Sequence, residues 1–88
     1  MKIVKSPILT KKYRAIFDDG THTDFGATGY EDFTTHKDET RKKLYLSRHR
    51  KTEDWNNYKS AGSLSRWILW NLPSLSASIQ DYKKRFRL

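Results

Sequence analysis

The chain has no cysteine, which removes disulfide staples and thiolate metal sites together. No apolar run exceeds four residues, so no segment is expected to cross a bilayer. The N-terminus lacks the apolar core of a signal peptide. Hydrophobic residues are scarce as well, at 35% of 88 residues with a mean hydropathy of −0.93. A chain this short buries only ~60% of the surface its unfolded form exposes, and it usually leans on staples or partners. Together these absences exclude a secreted disulfide scaffold. They point to one small domain, held in a reducing compartment or delivered into an assembly.

What is present is positive charge and aromatic surface. Lys+Arg 18 against Asp+Glu 10 gives +8 and a pI near 9.9, which favours an anionic partner: nucleic acid, an anionic surface or an acidic protein face. Three Trp, five Tyr and four Phe are many for so polar a chain, and large aromatics without aliphatic mass to cover them are common at interfaces. The charge alternates in blocks. Residues 1–14 are purely basic and 15–36 purely acidic apart from histidine; 37–51 are strongly basic, 52–81 nearly balanced and 82–88 basic again. Such alternation suits a surface with distinct faces better than a uniform polycation.

Along the chain, residues 1–12 read as a flexible basic arm, with 13–88 as a single small domain. Tyr13, Ala15 and Phe17 alternate with polar or outward positions, Asp18-Asp19-Gly20 supplies a turn, and Thr21–Phe25 forms the return strand of a β-hairpin. Gly26-Ala27-Thr28-Gly29 then breaks the strand. Thr34 or Thr35 is expected to cap a helix with Asp38 and Glu39 in its first turn and Arg48, His49, Arg50 and Lys51 at its end, in the order that complements the helix dipole. Asp38–Lys42 and Glu39–Lys43 are spaced as i,i+4 ion pairs. Leu44-Tyr45-Leu46 are consecutive and so point around this helix instead of forming one stripe. Thr52–Ser60 reads as a loop with aromatic anchors. Ser63 is expected to cap a short apolar helix, Pro73 to end it, and Ser74 to cap a last helix striped by Leu75, Ile79, Tyr82 and Phe86. The expected fold is α+β, an N-terminal β-hairpin packed against two or three helices.

Catalytic signatures are missing: the sequence has no nucleophile elbow, phosphate-binding loop, dinucleotide fingerprint or His-Glu-x-x-His motif. His22 with Asp24, and His36 with Asp38, are two pairings of the kind that hold a metal or act as acid and base; we read them as solvated turn and cap residues. No catalytic residue, metal site, cofactor or small-molecule substrate is therefore expected. Arg41, Lys42, Lys43, Arg48, Arg50 and Lys51, with Lys83, Lys84 and Arg85, are the candidate anion- or phosphate-binding cations. Loosely spaced charge of this kind suits phosphate contacts but is also what an ordinary solvated face carries. Trp55, Tyr58, Arg66, Trp67 and Trp70 are the candidate partner-binding set, since Trp, Tyr and Arg dominate the centres of protein interfaces. Core and interface are both open for these aromatics.

The run Phe25-Gly26-Ala27-Thr28-Gly29-Tyr30-Glu31-Asp32-Phe33-Thr34, then His36-Lys37-Asp38 and Arg41-Lys42, resembles a family of small uncharacterised basic proteins of nucleocytoplasmic large DNA viruses, the algal-virus and mimivirus-like groups. Tyr45, Arg48-His49, Trp55, Ala61-Gly62, Leu64 through Trp70, Pro73, Ile79 and Arg85-Phe86 continue the likeness, which spans Tyr13 to Phe86. The resemblance implies a context instead of an activity. By analogy it suggests a minor capsid or cement protein, found in the virion and in the infected cell before assembly, with other capsid proteins as partners. The alternative is a small nucleic-acid-binding accessory protein in which the same cations meet phosphates and Tyr45 or Trp55 stacks on bases.

Overall fold

Alternating apolar residues at Tyr13, Ala15 and Phe17 need a second strand to pair with, and Gly20 supplies the reversal at φ +87. In the computed structural model, which describes residues 1–88, this hairpin is β2 (Lys11–Ile16) and β3 (His22–Ala27), with Tyr13 opposite Phe25 and Ala15 opposite Thr23. Asp19 fixes the turn by accepting from the Thr21 amide at 3.0 Å.

The flexible arm expected over residues 1–12 is corrected. Lys2–Lys5 forms strand β1, antiparallel to β2, so the sheet has three strands in the order β1-β2-β3 and residues 2–5 belong to the domain. Ile3 supplies the reason, since it packs against the core opposite Ala15. The connecting loop is tied down by Ser6, whose hydroxyl donates to Asp24 at 2.7 Å and whose amide donates to the Lys12 carbonyl at 3.2 Å. Four residues flanked by lysines give too short an alternation to stand out in the sequence.

Four helices and a π-helical turn complete the chain: α1 (Phe33–His36), α2 (Glu39–His49), α3 (Ala61–Leu64), the turn Ser65–Leu69 that continues α3, and α4 (Leu75–Phe86). The observed architecture is α+β, a single small domain with its strands at the N-terminus. One face of the sheet presents Ala15 and Phe25, which meet Leu64, Ile68, Leu69 and Tyr82 in a cluster of fully or nearly fully buried side chains. The expected stripe on α4 is present: Tyr82 is fully buried, and Leu75, Ile79 and Phe86 pack around the cluster. The Tyr82 hydroxyl donates to the Tyr58 carbonyl, satisfying the polar end of a buried ring. Gly26 marks the closest approach of sheet and helix. It sits at φ +78, and a Cβ there would lie 2.8 Å from Cδ1 of Leu69.

Two of the three expected caps shift by a few residues. Asp32, not Thr34 or Thr35, caps α1, and Asp38 caps α2 by accepting from the Thr40 and Arg41 amides at 2.9 and 3.3 Å. Lys37 at φ +55 separates the two helices where one was expected. Ser60, not Ser63, caps α3; Ser63 is fully buried and its hydroxyl donates to the Asp54 carbonyl at 2.9 Å. Ser74 caps α4 as expected. Neither Asp38–Lys42 nor Glu39–Lys43 forms an ion pair. Asp38 is occupied as a cap, while the Lys42 ammonium lies over the Phe33 ring at 4.7 Å and donates to the Asn71 carbonyl at 2.6 Å.

Candidate functional site

The structure sorts the candidate aromatics into three separate places. Trp55, Arg66 and Trp67 come together with Arg85. The Trp67 indole N–H donates to the Trp55 carbonyl at 3.1 Å, and the Trp55 N–H donates to Glu53 at 3.1 Å. The Arg66 guanidinium lies 4.1 Å from the Trp67 ring centre and 5.4 Å from that of Trp55, while Arg85 lies 3.7 Å from Trp67. Burial, reinforced by the Arg85 charge, pushes the Arg66 pKa below the usual guanidinium value. Trp70 is elsewhere, stacked on Tyr45 of α2 with ring centres 4.3 Å apart and planes 4° from parallel. Tyr58 lies under the hairpin, edge-on to Phe17 at 5.5 Å. All three tryptophans are half-buried, each with its ring against other side chains.

The candidate cations divide as well. Lys83, Lys84 and Arg85 belong to α4, where Arg85 pairs with Asp81 at 3.3 Å. Arg41, Lys42, Lys43, Arg48 and Arg50 belong to α2 and its C-terminal cap, with Lys51 just beyond. Lys42 turns inward, as described, and Arg41 lies 3.7 Å from Glu31. Lys43, Arg48, Arg50 and Lys51 are exposed and have no carboxylate within 4.0 Å.

α2 differs from the other helices in that none of its residues is buried. It is held past its middle by the stack of Tyr45 on Trp70 and at its C-terminal end by His49, whose Nδ1 lies 2.6 Å from Glu53. Tyr45 is enclosed between the Trp70 and His49 rings, and its burial raises the phenol pKa well above 10. Behind the helix is a groove of about 690 Å³ between α2, the Tyr30–Asp32 loop, the paired ends of β2 and β3, and α3. Lys12 crosses its floor to Asp32 at 2.7 Å. Tyr30, 75% exposed, and Leu44, 56% exposed, stand in its lining beside Lys11, Arg41 and Arg48.

Neither His–Asp pairing forms a reactive centre. Asp24 is held by Arg14 at 3.0 and 3.1 Å and by Ser6, and the Arg14 hydrogen bonds keep its pKa below the ordinary carboxylate range. His36 accepts the Asp38 amide at Nδ1, 2.9 Å away, while the Asp38 carboxylate caps α2. No three His, Cys, Asp or Glu side chains converge as metal ligands would.

Sequence reasoning missed Tyr30, Leu44 and Lys11 as members of one groove. Leu9, 91% exposed at the tip of the β1–β2 loop, was missed too. A usable signal was the pair of glycines at 26 and 29: both take positive φ, and Tyr30 follows directly, in the loop after β3.

Residues 1–49 match a family of unknown function, DUF5754, and the chain belongs to that family. The matched segment contains β1 to β3, α1 and α2, and therefore Lys11, Tyr30, Arg41, Leu44 and Arg48. No curated protein and no solved structure matches the chain.

Proposed function

We propose that this DUF5754 member is a non-enzymatic interaction protein of a large DNA virus, a minor capsid or cement component of the virion, also present in the infected cell before assembly. The observation that carries the reading is α2. A helix of eleven residues with none buried contributes little to a core, yet it carries unpaired cations, and one of them, Arg48, lines a groove that also holds exposed Tyr30 and Leu44. Exposed apolar side chains among unpaired charge suit contact with an acidic partner surface. The tryptophans serve this reading indirectly. Trp70 positions α2, while Trp55 and Trp67 anchor the segment behind it, so docking falls to the side chains they position.

The virion assignment draws on the family resemblance carried by Phe25–Thr34 and the Leu64–Trp70 run. Mass spectrometry of purified particles tests it: the chain is expected at a fixed ratio to the major coat protein, and its absence from particles would overturn the reading. A second reading, a nucleic-acid-binding accessory protein, is favoured by one specific feature. Lys43, Arg48 and Arg50 lack acidic neighbours and are free to meet phosphates.

A further inference from the structure

Helical spacing places Arg41, Leu44, Tyr45 and Arg48 on one face of α2, and all four line the groove. Lys11, at the start of β2, lines it from the sheet side. The carboxylates there are already engaged: Asp32 holds Lys12 and caps α1, Glu53 holds His49 and the Trp55 N–H, and Glu31 lies beside Arg41. Lys11 and Arg48 have no such partner, so uncompensated positive charge comes from both the helix and the sheet. Tyr30 is the one exposed aromatic residue of the chain and sits in the same lining. Tyr45 cannot offer a ring face, because Trp70 and His49 cover it on stacking contacts of 4.3 and 4.2 Å; Trp55 is held by Arg66 and Glu53.

We infer that this groove binds a single-stranded polynucleotide, with Tyr30 stacking on a base and Lys11 and Arg48 meeting the flanking phosphates. The inference rests on the second reading, the nucleic-acid-binding one, and narrows its partner to single strands. A cationic groove with a free aromatic face is the arrangement that takes single strands, since every base has a π-face and every linkage a charge. An acidic peptide would satisfy the cations but make no use of Tyr30. A duplex hides its base faces and presents phosphates on a convex surface that a recessed groove does not fit.

Fluorescence anisotropy on the full chain tests this with three probes: a labelled oligothymidine, a blunt duplex of equal length, and polyglutamate as competitor. The oligothymidine is expected to bind at least several-fold tighter than the duplex, with affinity falling linearly in log salt. Tyr30→Ala should weaken it about tenfold, the order of one base's stacking, and Tyr30→Phe should restore it. Arg48→Ala should lower the salt slope by ~0.7, one phosphate on a single strand. Lys2→Ala, on β1 at the far end of the sheet from the groove, should change affinity less than about twofold, the scale of a lone surface charge. Tyr30 is exposed, so its replacement leaves the fold intact, and an unchanged thermal midpoint verifies this. No salt-sensitive oligothymidine binding, equal affinity for duplex, competition by polyglutamate at equal charge, or an unaffected Tyr30→Ala would each overturn the inference. Particle association without oligonucleotide binding would sink it while leaving the docking reading in place; loss of both would sink both.

Discussion

α2 and α4 are nearly equal in length, eleven and twelve residues, and both carry cations in their last turn, yet they occupy opposite positions in the energetics of the domain. α4 repeats apolar residues at helical spacing and places Tyr82 in the centre of the core. α2 has consecutive apolar residues that point in different directions, and it buries none. One helix is part of the hydrophobic cluster. The other is attached to it by a ring stack, a His–Glu contact and the Lys42 bond to Asn71. The contrast teaches that the chain commits its limited apolar material to the sheet, the Leu64–Trp70 segment and α4, and leaves α2 as displayed surface.

The strongest way to break this contrast is at Tyr82. Tyr82→Ala is expected to cost about 3–5 kcal/mol, the range for removing a buried aromatic, and to unfold the whole domain. Urea titration checks it; a loss below about 1 kcal/mol would mean that α4 is no more central than α2. Trp70→Ala comes next. Its main effect is predicted to be local: removing the stack on Tyr45 should raise amide exchange along α2 while β2 and β3 keep their protection. Uniform loss of protection would merge the two regions into one cooperative unit.

Caps sharpen the same point at smaller magnitude. Ser74→Ala should lower global stability by about 1 kcal/mol, because α4 folds with the core. Asp38→Ala removes a comparable bond from α2, but it should mainly fray that helix, read as lost ellipticity with little change in the urea midpoint. The smallest effect is expected from pH. In the folded sheet the Arg14 hydrogen bonds depress the Asp24 pKa, so its stabilisation is complete above the unfolded aspartate value. It is lost as pH falls through the lower folded value. Urea midpoints measured down through the acid range should therefore decline, and Asp24→Asn should flatten that part of the decline. An unchanged profile in Asp24→Asn would show that the ion pair on the sheet contributes nothing measurable.

Much of the architecture was legible because it depends on local rules. The β2–β3 hairpin followed from alternation and a turn with glycine, and α4 from its stripe and from Ser74 after Pro73. β1 was not legible: Ile3 is apolar and core-facing, but its lysine-rich surroundings resemble a mobile tail until β2 is there to pair with. The caps at Asp32, Asp38 and Ser60 were displaced because several hydroxyls and carboxylates lie within reach of each helix start, and the backbone path chooses among them. The candidate site was the least legible part. Arg41 and Arg48 could be marked as cations, but Lys11 and Tyr30 join them only across the sheet end and the loop after it.

The order of the residues by itself determined a small α+β domain with thin apolar content, an excess of positive charge and one well-defined amphipathic helix, since periodicity, turn chemistry and net charge act over a few neighbouring positions. Only the tertiary structure decided which aromatics are committed to holding the molecule together and which one faces outward. Stacking Tyr45 between Trp70 and His49 covers its ring, and the turn after β3, with Gly29 at positive φ, leaves Tyr30 in the open. Whether a ring is covered depends on residues far away in sequence, and no local pattern contains that information.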